Sequence, residues 1–314
     1  MNDLPEIALI AELPADLRTA LERDFRLIPV PLEGANSQPV TAIPSTVRAV
    51  ATRAVLGIPS GLLEALPDLG LVLSLGAGLD NIDVEALAAR QIVLAHTPDQ
   101  FTEDVADFAL GLIYAAERNI VAADRFMRSG RWAENRFMNG RRVSDRRVGI
   151  VGLGRIGRRL AEKCASLGMS VDYHARAPVA DCAYTYHSDV TALAAACDIL
   201  VLACAVTDQT RRMVTRDVLN ALGPRGIVVN IARGAVIDEE ALIEALEGRT
   251  IAGAALDVFD KEPDFDPRLA RLENVILTPH AASFTLEARQ AVIDHLMDAA
   301  RTYFSSVEAS HAPT

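Results

Sequence analysis

The sequence has no apolar run long enough to cross a bilayer. Its longest, Ile199 to Val206, falls far short of a membrane span. At the amino terminus, Met1-Asn2-Asp3-Leu4-Pro5-Glu6 lacks the basic and apolar regions of a secretory leader. Cysteine is scarce: Cys164, Cys182, Cys197 and Cys204 show neither C-x-x-C nor Cys/His ligand spacing, so no metal site is expected. They read as reduced, mostly buried thiols of a cytoplasmic protein, and a catalytic cysteine would have nothing nearby to activate it. Positive charge is in deficit, with a net charge of −11. An acidic surface repels phosphate backbones and argues against a nucleic-acid partner, while a locally basic pocket remains open to an anionic substrate. Internal repeats and low-complexity linkers are missing, and there is a single tryptophan, Trp132.

What is present suits a large core. Half of the 314 residues are apolar, enough for one large or two ordinary domains. Residues 1–97 read as a small α/β unit with strands at Ile7–Ile10, Val47–Thr52, Leu71–Leu75 and Ile92–Leu94. A helix is expected over Ala15–Arg23. Four prolines between Pro29 and Pro44 mark an extended connection. Gly76-Ala77-Gly78 follows a strand directly, either an ordinary tight turn or a nest of backbone N–H groups for a carboxylate. Thr102 is placed to cap a helix with Val105, Phe108, Leu112 and Ile113 at helical spacing. Residues 118–147 are basic and irregular and read as an arm.

From Arg147 onward, short apolar strands alternate with helices: Val148–Val151, Ser170–Tyr173, Ile199–Ala203, Ile227–Ile231, Ile251–Leu256 and Val275–Leu277. Their continuous apolar character suits a doubly wound parallel sheet covered on both faces. The first strand runs into Gly152-Leu153-Gly154-Arg155-Ile156-Gly157, followed at once by a helical pattern. Strand, G-x-G-x-x-G and helix in that order form the context of a dinucleotide fingerprint, with phosphates at the helix N-terminus. A last helix is expected over Thr285–Phe304, then a frayed tail over Ser305–Thr314.

Three polar residues each follow a buried strand, where ligands bind in such sheets. Arg233 can fork onto a carboxylate or carbonyl. A histidine such as His280, paired with a carboxylate such as Glu262, is a usable proton donor near neutral pH. Taken singly, the three read equally as a surface salt bridge, a packed histidine and a solvated loop charge.

In their blocks they resemble the D-2-hydroxyacid dehydrogenase family. The likeness lies in Asn230-Ile231-Ala232-Arg233-Gly234, Leu256-Asp257-Val258-Phe259 with Glu262-Pro263, and Thr278-Pro279-His280. It extends to Ser74-Leu75-Gly76-Ala77-Gly78-Leu79-Asp80-Asn81-Ile82-Asp83 and to Thr102-Glu103-Asp104-Val105-Ala106-Asp107. Among its branches, the glyoxylate/hydroxypyruvate reductases are the nearest likeness. The resemblance implies two Rossmann-like lobes with the active site in the cleft between them. Residues 1–98 and 286–314 would form the substrate lobe and residues 99–285 the nucleotide lobe. It implies that Arg233 binds the carboxylate of a 2-oxo acid, that His280 protonates its carbonyl oxygen, and that Glu262 holds His280 protonated. Leu75, Gly76, Ala77, Gly78 and Ser283 would add substrate contacts. Asp257 would bind the nicotinamide carboxamide and Val105 would pack on its ring. Ala205, Thr210, Ile231, Ala232 and Ala282 would complete the cofactor site. Ala281-Ala282-Ser283 departs from the small-residue pairs often found after this histidine, and Cys204-Ala205-Val206-Thr207 lacks a frequent proline.

For the nucleotide, Asp172 lies about 20 residues past Gly152, the spacing of an NAD ribose reader. Matching Tyr173-His174 to the family's aromatic pair instead puts that reader at Ala175, with Arg176 next to it. An alanine removes a repulsive carboxylate and an arginine supplies a phosphate ligand. This reading favours NADP(H), with NAD(H) the alternative should Asp172 reach the ribose. His174 and Arg158 are further candidates for the 2′-phosphate. The resemblance also implies that the 118–147 arm packs on a second subunit of a homodimer, with Trp132 reaching the partner's substrate site. Rival readings are an NAD-dependent enzyme for a sugar acid or aryl-pyruvate, and a non-catalytic dinucleotide sensor or corepressor on this fold.

Overall fold

The computed structural model describes residues 4–30, 43, 44, 46–79 and 81–311. In chain order, the first elements are β1 (Glu6–Leu9), α1 (Ala15–Asp24), β2 (Arg26–Pro29), β3 (Ala49–Arg53), α2 (Ser60–Ala65), β4 (Leu71–Leu75), α3 (Val84–Ala89) and β5 (Val93–His96). Next come α4 (Thr102–Glu117), α5 (Ile120–Arg128), β6 (Arg147–Val151), α6 (Arg155–Ser166), β7 (Ser170–His174), β8 (Thr185–His187) and α7 (Val190–Ala196). The chain closes with β9 (Ile199–Leu202), α8 (Arg216–Leu222), β10 (Ile227–Asn230), α9 (Glu239–Glu247), β11 (Gly253–Leu256), β12 (Val275–Leu277) and α10 (Leu286–His311). Two compact units result: Met1–Phe101 with Thr285–Thr314, and Thr102–Phe284.

The first unit holds a parallel sheet in the order β2-β1-β3-β4-β5. One face buries Leu17 and Leu21 of α1 and Val292, Leu296 and Ala300 of α10 against Ile7, Leu71 and Leu73. The other packs Val50 and Val72 against Leu62, Leu66 and Leu87. Both faces are covered, so the strands are apolar throughout rather than alternating. The sequence pattern misses β2, an edge strand ending in Pro29 whose residues are all partly or fully exposed. Most of the proline-rich stretch lies outside the described residues.

The second unit is a parallel sheet in the order β12-β11-β10-β9-β6-β7-β8. It has seven strands rather than the six expected, because three-residue β8 carries no apolar run and is legible only through its pairing with β7. Strand order reverses at β6, between β7 and β9, which opens the crevice where ligands bind in such sheets.

Three further expectations change. Thr102 is the first residue of α4 rather than its cap, and its Oγ1 is buried with no hydrogen-bond partner. The 118–147 arm contains α5, whose buried Phe126 stacks on Phe137 at 5.3 Å with the Arg131 guanidinium over its ring. Basic side chains hide that single-residue apolar anchor from a periodicity test. Finally, α10 continues through Ser305 to His311. No glycine interrupts it, and Pro313, which would disfavour helix in the residue before it, comes only later.

Candidate active site

The glycine turn has the geometry that phosphates require. Gly152 sits at φ +95°, and a Cβ there would meet the Cys204 backbone at 2.8 Å, so the turn is pressed against the end of β9. A Cβ on Gly157 would stand 2.0 Å from the Gly152 carbonyl oxygen, so α6 can approach β6 only without a side chain there. Gly154 differs: a Cβ on it would meet nothing within 4 Å. That open space lies at the extended N-cap of the 12-residue helix α6, whose first N–H groups and dipole favour an anion. A pyrophosphate fits these residues. Leu153 is buried, Arg155 exposed and Ile156 half-buried.

Beyond the carboxyl ends of β10, β11 and β12, on the same edge of this parallel sheet as the glycine turn, three expected residues come together. The Nδ1 of His280 lies 2.7 Å from Oε2 of Glu262, while Oε1 of Glu262 accepts from the Phe259 N–H at 3.0 Å. Burial pushes the Glu262 carboxyl up, but the His280 and Phe259 hydrogen bonds and the charges of His280 and Arg233 outweigh it. The group is held below its ordinary value of 4.5. An ionised carboxylate only accepts, so Nδ1 carries a proton and Nε2 is left for chemistry. Arg233 is brought alongside because Gly234 packs on the loop after β11: a Cβ there would lie 1.9 Å from the Phe259 carbonyl carbon.

Buried polar groups fix these loops, and the sequence reading assigns them no such role. Asn230, with 0% exposure, accepts from the Ala232 N–H at 3.0 Å and donates to the Arg233 carbonyl at 3.0 Å. Ile231 and Ala232 are buried in that turn. Asp257 is 1% exposed, and its carboxylate accepts from Thr278 Oγ1, Ala281 N and Ala282 N at 2.6, 2.8 and 2.9 Å. Thr210 Oγ1 accepts from the Thr207 N–H and donates to the Ala205 carbonyl, both at 2.7 Å, and so shapes the loop after β9.

In the middle of β7, the Asp172 carboxylate is taken by His187 Nε2 on β8 at 3.1 Å. His174 donates its Nδ1 proton to the His187 carbonyl at 2.9 Å, and its own carbonyl accepts from the Gly152 N–H at 2.8 Å. Ala175 is half-buried and Arg176 exposed immediately beyond, while Arg158 is exposed on α6.

The remaining candidates lie elsewhere. Leu75, Gly76, Ala77 and Gly78 belong to the first unit, and the Gly76 N–H already donates to Thr97 Oγ1 at 3.0 Å. It is therefore spent on the residue after β5 rather than offered as part of a carboxylate nest. Asp80 lies outside the described residues. Val105 is buried on α4, Ser283 is half-buried, and Trp132 is 59% exposed. Among the described residues, no group of three His, Cys, Asp or Glu side chains is placed to share a metal ion, and no helix is long and apolar enough to cross a membrane.

The model of the D-isomer specific 2-hydroxyacid dehydrogenase NAD-binding domain matches residues 110–282, more than half of the chain. The chain belongs to the D-isomer specific 2-hydroxyacid dehydrogenases. Within this family it is 39% identical over 299 residues to glyoxylate/hydroxypyruvate reductase A of Arabidopsis thaliana, covering 95% of this chain and 96% of the relative. It is 38% identical over 308 residues to 2-ketogluconate reductase of Gluconobacter oxydans, covering 97% of each. Among solved structures it resembles the NADPH-dependent glyoxylate/hydroxypyruvate reductase of Sinorhizobium meliloti in complex with NADP and malonate. That match has a TM-score of 0.88 at 38% identity, over 96% of this chain and 94% of the other. As a 2-hydroxyacid dehydrogenase, the chain is an oxidoreductase that uses a nicotinamide dinucleotide.

Proposed function

We propose that this dehydrogenase reduces a small 2-oxo acid of the glyoxylate/hydroxypyruvate class to the D-2-hydroxy acid, with NADPH as reductant. The observation that carries this reading is the 2.7 Å contact between His280 Nδ1 and an ionised Glu262 with Arg233 alongside. Arg233 binds the substrate carboxylate and polarises the carbonyl, and His280 gives its Nε2 proton to the carbonyl oxygen. Glu262 holds the imidazole in that tautomer and stabilises its charged form. The bound nicotinamide supplies the hydride. Residues 99–285 bind the nucleotide, and residues 1–98 with 286–314 contribute the substrate turn. The enzyme is assigned to the cytoplasm as a homodimer.

The cofactor preference rests on β7. His187 holds Asp172 within the sheet, two residues short of the strand's end, and this supports Ala175-Arg176 as the ribose reader. His174, its Nδ1 proton committed to the His187 carbonyl, can serve the 2′-phosphate only as an imidazolium that donates from Nε2.

Initial rates on glyoxylate, hydroxypyruvate, 2-ketogluconate and an aryl-pyruvate, each with NADPH and NADH, test both parts. The expected result is highest kcat/KM for the two small acids with NADPH. Arg176→Ala should raise the KM for NADPH at least tenfold and leave that for NADH within about twofold. Equal effects on both cofactors would show that Arg176 does not read the 2′-phosphate.

A further inference from the structure

His280 occupies a backbone conformation that a side-chain-bearing residue rarely takes, with φ +53°. Such a conformation persists only where the surroundings over-determine it. Here they do so around one carboxylate. The His280 N–H is shared between the carbonyls of Asp257 at 2.9 Å and Thr278 at 3.0 Å. The next two N–H groups, of Ala281 and Ala282, end on opposite oxygens of the Asp257 side chain. The Thr278 hydroxyl then donates to Oδ1 at 2.6 Å, the shortest of the three bonds to that group. Asp257 is 1% exposed, so water cannot stand in for a lost donor.

We propose that Thr278 is a positioning residue for His280, a role that rests on the reading of His280 as proton donor. Its hydroxyl makes the third and shortest hydrogen bond to the Asp257 carboxylate, beside those of the Ala281 and Ala282 N–H groups. The carboxylate in turn sets the left-handed turn that carries the imidazole. Glu262 is anchored separately, by the Phe259 N–H. Releasing Thr278 therefore moves His280 relative to Glu262 instead of moving both together. Proton transfer is sensitive to displacements of that kind, since about 1 Å of misplacement can cost a hundredfold in rate.

The test is a series at one position in the full-length enzyme, Thr278→Ser, Thr278→Cys and Thr278→Val, read with saturating NADPH. Serine keeps the donor, cysteine keeps a weak one and valine has none. The expected result is kcat within about twofold of the parent for Ser, with losses rising through Cys to about tenfold or more for Val. KM for the 2-oxo acid and Kd for NADPH should stay within about twofold, so that the loss falls on kcat alone. Combining Thr278→Val with Glu262→Gln should cost less than the product of the two, because both act through one pairing. A Val variant with lowered Tm but unchanged kcat would reduce Thr278 to structural packing and overturn the proposal. Should Val fail to fold, a Cys variant with the parent's kcat overturns it equally. Parental kcat in His280→Asn would instead overturn the proton-donor reading itself, and the Thr278 role with it.

Discussion

Replacing Glu262 by glutamine keeps the bulk of the side chain and removes its charge. The carboxylate fixes the tautomer that leaves Nε2 of His280 for chemistry, so its loss should lower kcat about tenfold or more with KM for the 2-oxo acid nearly unchanged. A parental kcat in Glu262→Gln would strip Glu262 of that role. His280→Asn should lower kcat by about 10²–10⁴, the usual worth of a positioned general acid. Stability follows the same pair with a definite sign. Glu262 is held below its ordinary value of 4.5 in the folded chain. Its pairing therefore stabilises the fold above that pH and is lost as pH falls through the lowered value. The parent should lose more Tm than Glu262→Gln between pH 6 and about pH 3. Thiols behave oppositely. Burial pushes Cys164 and Cys197 up to about 12 and Cys204 up to about 11, so they hold negligible thiolate at pH 8. Half-buried Cys182 should be the one that a disulfide reagent titrates promptly in the native protein, with the other three appearing on unfolding.

At the scale of elements, two glycines of the turn separate by experiment. Gly154→Ala puts a methyl into open space at an ordinary backbone conformation, so Tm should hold within a degree or two while cofactor Kd rises at least tenfold. Gly157→Ala drives a methyl into the Gly152 carbonyl, so Tm should drop by several degrees even without cofactor. Equal Tm values for the two variants would contradict this division. The turn was legible in the sequence because strand, glycines and helix are contiguous there. The Arg233, Glu262 and His280 blocks were legible for a related reason, as each follows a buried apolar strand. What the sequence hid depends on pairing across the fold. Thr185–His187 carries no apolar pattern, yet His187 decides what Asp172 can do by taking its carboxylate. Thr278 and Gly234 act through a carboxylate and a backbone distant in sequence, and no local period records such partners. The α5 helix was obscured because one buried phenylalanine anchors a basic surface segment.

For the molecule as a whole, the arm after α4 supplies the next expectation. Ile120, Met127, Trp132 and Met138 are each more than half exposed, and all lie within 19 residues of chain. A groove of about 610 Å³ in the same unit is bordered by Phe126, Phe137, Met138, Val275 and Ile276. An apolar concentration of this kind is unfavourable on a free surface and suits a self-complementary contact, in which the arm of each copy serves as the other's partner. The arginines of the segment, Arg125, Arg131 and Arg136, border the groove as well. They keep the patch soluble before assembly and leave room for polar pairing at its rim. Light scattering coupled to size exclusion should therefore give twice the 33.7 kDa chain mass at micromolar concentration. Met138→Lys should shift the population toward monomer, since a further positive charge beside Arg125, Arg131 and Arg136 is repelled and unpaired in such a contact. If Trp132 also borders a substrate site in the assembled enzyme, Trp132→Ala should change the ranking among 2-oxo acids while leaving NADPH Kd within about twofold. A dimer that persists with an unchanged ranking would leave Trp132 as interface packing, and a parent protein monomeric at that concentration would remove the arm from assembly altogether.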